Sequence, residues 1–242
     1  MKDLPRRTLT AIVYGGLFLA AGLIPGPWLT FALAILFVLG LMELWRLARA
    51  LPDTAKQTAA FGAGVIVLAG GLFALLYLTS YVQGHGELIA PDVQVWPWLR
   101  VNLYPWVFMA LLPTWAADIT AYAVGSLIGR RKIAPRVSPG KTWEGTIAGF
   151  LAAAVAVWFV GTQVFAPSLP PEILAPVALA VGPAGLCGDL LESALKRAAG
   201  VKDSGTIFPG HGGVLDRIDS LLLVAPVIAL ALNAYRSGMM EL

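Results

Sequence analysis

The sequence predicts an all-α membrane protein, a polytopic bundle of about seven transmembrane helices forming one domain over residues 1–242. Of the residues, 58% are hydrophobic and 13% are charged, and the mean hydropathy is +0.76. Soluble domains carry about a quarter charged residues, so this composition excludes a soluble globular domain, a disordered chain and a free nucleic-acid-binding protein. The apolar stretches are continuous rather than alternating, which argues against a β-barrel.

Seven stretches are long enough to cross a bilayer, which takes about 20 mostly apolar residues. They cover residues 8–24, 28–45, 58–81, 101–128, 145–165, 173–192 and 218–236. The first stretch has the basic start of a signal peptide, but it runs directly into the next span, which favours a transmembrane helix. The single cysteine, Cys187, excludes an intrachain disulfide and a zinc site built on cysteines.

The distribution of positive charge predicts the orientation of these spans. With seven spans, every lysine and arginine except Arg100 and Arg236 falls on one face of the membrane. Loops that carry the excess of lysine and arginine face the cytoplasm. The N-terminus is therefore predicted to be cytoplasmic and the C-terminus to lie outside.

The connection of residues 129–145 carries the first candidate site. Arg130, Arg131 and Lys132 are explained by the positive-inside pattern or by contact with anionic lipid headgroups. That explanation fits the segment from Ser138 to Thr142, which includes Lys141, less well. Its hydroxyls, glycine and lysine directly before a helix are suited to binding an anion. Free N–H groups at the start of span five would add to such a phosphate site. The spacing is not that of a Walker A loop.

The connection between spans six and seven carries a denser set of charges. If span six continues as a helix, one of its faces presents Asp189, Glu192, Ser193 and Lys196. Asp216 and Asp219 share a face at the start of span seven. Carboxylates on facing helix ends suit Mg²⁺ together with substrate phosphates, and the neighbouring lysines and arginines would neutralise phosphate charge. The alternative is a network of salt bridges and caps, because acidic groups stabilise a helix N-terminus without a metal.

Three further residues are polar in apolar surroundings. Asp118 lies within span four, eleven residues before Gly129, where a charge is costly and indicates function; the alternative is an aspartate paired with a nearby hydroxyl, from Thr114, Thr120 or Tyr122. Glu43 is predicted to form a salt bridge with Arg46 or Arg49. His211 has no second histidine nearby, so a histidine metal site is not expected.

The 27 residues from Ser193 to Asp219 resemble, without a gap, the signature of the phosphatidate cytidylyltransferases, or CDP-diacylglycerol synthases. Arg136 to Gly145, and Asp118 with Ala121-Tyr122, resemble the upstream motifs of that family. The resemblance covers residues 101–236, whereas residues 1–100 match only in their apolar character. Members of the family often carry more spans in the front half.

The resemblance implies a reaction in which CTP and phosphatidic acid give CDP-diacylglycerol and pyrophosphate. It implies Mg²⁺ held by Asp189 and Asp216, with K⁺ as a possible second ion. It also implies a homodimer in a bacterial inner membrane, with residues 101–242 forming the catalytic helices and cytoplasmic loops. No nucleic acid is expected as a partner. The predicted catalytic residues are Asp189, Lys196, Asp216 and Arg217. The predicted substrate-binding residues are Asp118, Ser138, Lys141, Thr142, Arg197, Lys202, His211, Gly212, Gly213 and Asp219.

Two other functions fit parts of the pattern. An ion-coupled transporter would use Asp118 and the charged helix ends as an ion pathway, although no internal repeat is visible. Another CTP-dependent lipid enzyme, similar to a polyprenol kinase, would share both the nucleotide and a lipid substrate. A transporter should consume no CTP, and a kinase should release CDP rather than pyrophosphate.

Overall fold

The computed structural model describes residues 27–84, 93–96, 99–101, 104–164, 169–208 and 212–240. These form six long helices, α1 (Trp28–Arg49), α2 (Thr54–Gly84), α3 (Pro105–Ile128), α4 (Trp143–Gln163), α5 (Pro171–Ala198) and α6 (Leu215–Met240). Two short antiparallel hairpins join helices: β1 (Val93–Trp96) with β2 (Leu99–Val101), and β3 (Lys132–Ala134) with β4 (Ser138–Thr142). The helical fold class is confirmed, and the candidate loop of residues 129–145 contains a β-hairpin.

The six helices correspond to the second to seventh predicted spans, and all six are long and apolar enough to cross a membrane. The first predicted span, residues 8–24, lies outside the described residues. Large apolar side chains such as Ile66, Phe73 and Leu151 are each more than half exposed on the bundle surface. Helices that are apolar both inside and outside a bundle are typical of membrane proteins.

Helix α6 lies at the centre of the bundle, where it packs against α2, α3 and α5. Its side chains at Val224, Ala225, Ile228 and Leu232 are fully buried. The other main helix contacts are α1 with α2, α3 with α4, and α4 with α5. The start of α6 is therefore held from several sides.

Glycines allow two close helix contacts that position polar residues. A Cβ atom at Gly145 in α4 would lie 2.5 Å from the Ala121 carbonyl oxygen of α3, and a Cβ atom at Gly188 in α5 would lie 3.1 Å from Ser220 Cα of α6. Small residues permit such approaches between membrane helices. The second contact places Asp189 beside the first turns of α6.

Three of the basic connections meet at one end of the bundle. Arg197, at the end of α5, donates a hydrogen bond from Nε to the Val137 carbonyl of the β3–β4 hairpin at 3.2 Å. Ser204, in the connection from α5 to α6, bonds to Glu43 near the end of α1. The charge-based prediction of orientation requires these basic connections to lie at the same end of the bundle, and they do.

Candidate active site

Helix α5 continues six residues beyond the predicted end of span six, so its polar residues share one face as predicted. The Ser193 hydroxyl donates to Asp189 Oδ1 at 3.2 Å. The Lys196 ammonium forms an ion pair with Glu192, one helical turn earlier. Both contacts follow from the four-residue spacing, which brings side chains together on a helix surface.

Asp216, in the first turn of α6, has the most hydrogen-bond partners at this end of the molecule. Its Oδ2 atom accepts from the Ser204 backbone N–H, the Ser204 hydroxyl and the Gly213 backbone N–H, each at 2.8 Å. Its Oδ1 atom accepts from Lys196 Nζ at 2.5 Å. A carboxylate so placed satisfies N–H groups at the start of a helix and ties the loop to both α5 and α6.

The β3–β4 hairpin reaches the same region through Lys141. Its Nζ atom lies 2.6 Å from Asp189 Oδ2, and the two side chains remain 23% and 26% exposed. This ion pair joins the two connections that the sequence marked separately as candidate sites. The hairpin lysine therefore lies against a predicted metal ligand.

A polar cavity of about 650 Å³ opens between the hairpin, α3, α5 and α6. Its charged lining residues are Asp118, Lys132, Lys141, Asp189, Asp216, Arg217 and Asp219. Asp118 faces this cavity within electrostatic reach of Lys141 and Asp189. The Thr114 hydroxyl donates to the Ala110 carbonyl at 2.7 Å, so its proton is not available to pair with Asp118. The combination of acidic and basic groups suits a ligand that carries phosphate and metal charge together.

An apolar cavity of about 240 Å³ adjoins this polar one, between α1, α2, α5 and α6. Its lining is mainly leucine, alanine, valine and glycine, with only the carboxylates of Glu192 and Asp219. Asp219 lines both cavities. A charged and an apolar compartment thus share a wall at the start of α6.

Several predicted ligand-binding residues instead make contacts within the protein. The Thr142 hydroxyl is buried and accepts from the Gly145 N–H at 3.2 Å, so it caps α4 although the residue lies at the cavity wall. Arg197 also donates to the Val201 carbonyl at 2.8 Å and does not line the cavity. Lys202 is exposed on the loop outside the cavity, and His211 lies outside the described residues. Their roles in phosphate binding remain predictions.

Gly212 and Gly213, which are predicted to bind substrate, lie in close contact with side chains of the protein itself. Gly212 has a φ of +82°, which favours glycine, and a Cβ atom there would collide with Asp216. A Cβ atom at Gly213 would collide with Glu43 and Ser204. These glycines allow the loop to close over the start of α6.

The prediction that Glu43 pairs with Arg46 or Arg49 is wrong. Glu43 is only 1% exposed, and its carboxylate accepts from Ser204 and from the N–H groups of Val214 and Leu215. Helical spacing predicts partners one turn away, whereas the actual partners lie more than 160 residues later in the chain. A glutamate in a mostly apolar helix is the only signal in the sequence for this role.

The donor set of the polar cavity fits a hard divalent cation that binds together with a phosphate ligand. Among the described residues, no three histidine, cysteine, aspartate or glutamate side chains converge closely enough to hold a metal by themselves. Mg²⁺ commonly uses one or two carboxylates and completes its shell with water and substrate phosphates. Asp189 accepts one hydrogen bond from a hydroxyl and forms one ion pair with a lysine, whereas Asp216 accepts four hydrogen bonds. Asp189 is therefore more accessible to such an ion.

Together, the fold and the site define a helical membrane protein with a phosphate-compatible cavity at one end of its bundle. Residues 99–235 match the sequence profile of the cytidylyltransferase family, so that this chain belongs to that family. The match includes the β3–β4 hairpin, α3 to α5 and most of α6, and therefore every charged residue that lines the polar cavity.

Individual relatives extend this similarity over more of the chain. A phosphatidate cytidylyltransferase of Brucella abortus is 34% identical over 263 aligned residues, covering 95% of this chain and 93% of the relative. A phosphatidate cytidylyltransferase of Haemophilus influenzae is 38% identical over 196 residues, covering 79% of this chain and 66% of the relative. An uncharacterized protein of Escherichia coli, YnbB, is 46% identical over 163 residues, covering 67% and 48%. The chain thus spans about half to two thirds of the length of the last two relatives.

Proposed function

We propose that this protein is a phosphatidate cytidylyltransferase, which converts CTP and phosphatidic acid into CDP-diacylglycerol and pyrophosphate. The observation that carries the proposal is the polar cavity in which Lys141 of the hairpin meets Asp189 of α5. Both residues belong to segments that match the cytidylyltransferase family. The names of the Brucella and Haemophilus relatives support the choice of phosphatidic acid as the acceptor.

The paired cavities also support a substrate that is both charged and lipidic. A phosphate group suits the polar cavity, where Lys132, Lys141 and Arg217 supply positive charge. Hydrocarbon near the headgroup suits the apolar cavity, with Asp219 at the shared wall. Nucleotide from water and lipid from the bilayer would meet at this end of the helices.

The nucleophile is the phosphate monoester of the lipid. Its second pKa is about 6, so it is largely dianionic at neutral pH and needs no general base. A lipid phosphate oxygen bonds to the α-phosphorus of CTP, and the bond to the α,β-bridging oxygen breaks. Pyrophosphate leaves with that electron pair. The residues contribute by positioning and by charge neutralisation, on which phosphoryl chemistry depends.

Magnesium is the cofactor we propose, with Asp189 and Asp216 as its protein ligands and K⁺ as a second ion. A bound divalent ion supplies charge neutralisation on the phosphates and on the pyrophosphate leaving group. Lys141 lies against Asp189 at the cavity wall, so it would exchange its carboxylate contact for a phosphate contact when ion and nucleotide bind together. Lys196 is buried against Asp216 and would hold that carboxylate in place. Asp118 and Asp219 add negative charge on the same cavity wall.

We further propose a multi-pass protein of the bacterial inner membrane, with the cavity on the cytoplasmic side and two copies forming a homodimer. The clustering of basic connections at the cavity end supports that orientation, because cytoplasmic loops carry the excess of lysine and arginine. Reaction of engineered surface cysteines with a membrane-impermeant thiol reagent tests the orientation. Native mass spectrometry of the detergent-solubilised protein tests the dimer.

The decisive experiment supplies the purified full chain with phosphatidic acid, Mg²⁺ and CTP labelled on its α-phosphate. The expected result is label in the lipid fraction with an equimolar amount of pyrophosphate. Release of CDP would instead identify a lipid kinase, and an absence of CTP consumption by folded protein would favour a transporter. Either of these results would overturn the proposal.

A further inference from the structure

Glu43 is a buried acidic residue in α1, outside the segment that matches the cytidylyltransferase family. A buried carboxylate is costly unless hydrogen bonds satisfy it. Its Oε1 atom accepts from the Val214 N–H at 2.9 Å, and its Oε2 atom accepts from the Leu215 N–H and the Ser204 hydroxyl, both at 2.9 Å. The first helix therefore supplies a cap to the last one.

The cap lies on the start of α6, at the two residues that directly precede Asp216. The first N–H groups of a helix have no partner within it, and a negative charge there is favourable because of the helix dipole. Two of these groups, from Val214 and Leu215, are satisfied by Glu43. This contact fixes where the first turn of α6 begins.

Ser204 extends the connection from Glu43 to the cavity. Its hydroxyl lies 2.9 Å from Glu43 Oε2 and 2.8 Å from Asp216 Oδ2. The hydroxyl has one proton, so at any moment it donates to one of the two carboxylates. Its backbone N–H donates to Asp216 throughout.

The space around Glu43 leaves little freedom for the carboxylate to move. Gly205 and Gly213 lie so close that a Cβ atom at either position would collide with the Glu43 side chain. The pocket is therefore shaped around a carboxylate at this position. An uncharged or shorter side chain would change the position of the loop and of Asp216 together.

We infer that Glu43 is a positioning residue for the reaction, which sets the place of Asp216 through Ser204 and the first turn of α6. The inference rests on the proposed function, because it assigns Asp216 to the metal- and nucleotide-binding wall. It gives α1 a part in the site although the family segment begins at residue 99. The front half of the chain is thus more than a membrane anchor.

The test compares Glu43→Gln with Glu172→Gln in the full chain. The second variant makes the same chemical change at an exposed residue in the first turn of α5. The Glu43→Gln amide removes the charge and replaces one acceptor oxygen with an NH₂ donor, which then faces the N–H of Val214 or Leu215. We expect it to raise the Mg²⁺ concentration for half-maximal rate by about tenfold or more, the usual cost of losing a group that orients a metal ligand. Glu172→Gln should match the wild type.

The Mg²⁺ requirement is the informative readout because it does not depend on how much of the protein is folded. Binding of Mn²⁺, followed by electron paramagnetic resonance with CTP present and lipid absent, should weaken in parallel. Glu43→Asp should recover part of the affinity, because it keeps the charge. If Glu43→Gln yields no folded protein, Ser204→Ala removes only the hydroxyl link and should produce a smaller shift in the same direction.

The inference is overturned if the folded fractions of both Glu43→Gln and Ser204→Ala keep the Mg²⁺ requirement and the Mn²⁺ affinity of the wild type. Failure of the proposed function is a separate result, because it would appear as a wild-type protein that makes no CDP-lipid. In that case the comparison of Mn²⁺ binding between wild type and variants still decides whether Glu43 positions Asp216. A wild-type protein that makes no CDP-lipid and binds no Mn²⁺ would overturn both proposals.

Discussion

Two lysine–aspartate pairs lie at the same end of the bundle, and their surroundings differ. Lys196 and Asp216 are 2.5 Å apart, with side chains only 9% and 5% exposed. Lys141 and Asp189 are 2.6 Å apart, with side chains about a quarter exposed. The first pair belongs to a closed network that includes Glu192, whereas the second bridges a hairpin and a helix across the polar cavity.

The difference in exposure predicts which pair stabilises the fold and which pair is accessible to a ligand. Removing one partner of a buried ion pair is strongly destabilising, because the other charge stays buried without compensation. An accessible pair contributes little to stability, because water competes for both groups. Asp216 should therefore serve both the fold and the reaction, whereas Asp189 and Lys141 should serve mainly the reaction.

The largest effect is expected from Asp216→Asn. This change removes the charge opposite Lys196 and weakens the cap of α6, so we expect a loss of about 3 kcal/mol in unfolding free energy. Turnover should fall at least about a hundredfold, while the protein still inserts into the membrane. Denaturation in detergent and the labelled-CTP assay measure the two quantities. Near-normal turnover in this variant would exclude Asp216 as a metal ligand.

Asp189→Asn should lower turnover strongly but change stability only slightly. We expect a similar loss of turnover, about a hundredfold, but a stability change of about 1 kcal/mol or less, because Lys141 can turn to water. The same two measurements apply. A loss of stability as large as that of Asp216→Asn would show that the accessible pair also holds the fold together.

The sequence predicts the continued helix α5 and its polar face, because spacing along a helix determines which side chains meet. It also predicts that residues 129–145 and the α5–α6 connection carry the chemistry. It does not predict which lysine meets which aspartate, since Lys141 and Asp189 come together only through the packing of α3, α4 and α5. Nor does it reveal the partners of Glu43, which depend on long-range contacts that no local periodicity encodes.

The β3–β4 hairpin shows which groups of the predicted phosphate site are used by contacts within the protein. The pattern of hydroxyls, glycine and lysine predicts a loop with free N–H groups before span five. In the fold, Thr142 caps α4, and the Glu144 carboxylate accepts from the backbone N–H groups of Arg130 and Arg131 at 3.1 and 3.3 Å. Within Ser138 to Thr142, Lys141 still reaches the cavity with its charge.

A smaller effect is expected from Lys141→Ala. Hydrogen bonds to charged groups contribute about 1.5–3 kcal/mol, so loss of a phosphate contact should raise KM for CTP or phosphatidic acid about tenfold or more. Stability should change little. Lys141→Arg keeps the charge and should recover much of the lost affinity. Unchanged kinetics in Lys141→Ala would leave the hairpin lysine with an electrostatic role towards Asp189 or the lipid headgroups only.

The smallest effect should come from Thr142→Ala, which distinguishes a helix cap from a substrate ligand at the cavity wall. The hydroxyl already accepts from the Gly145 N–H, so its loss should lower the unfolding free energy by about 1 kcal/mol and leave KM for both substrates close to the wild-type value. Thr142→Ser keeps the cap and should restore stability. A raised KM in Thr142→Ala with unchanged stability would mean that the hydroxyl leaves its cap to bind phosphate. The start of α4 would then belong to the ligand-accessible region together with Lys141 and Asp189.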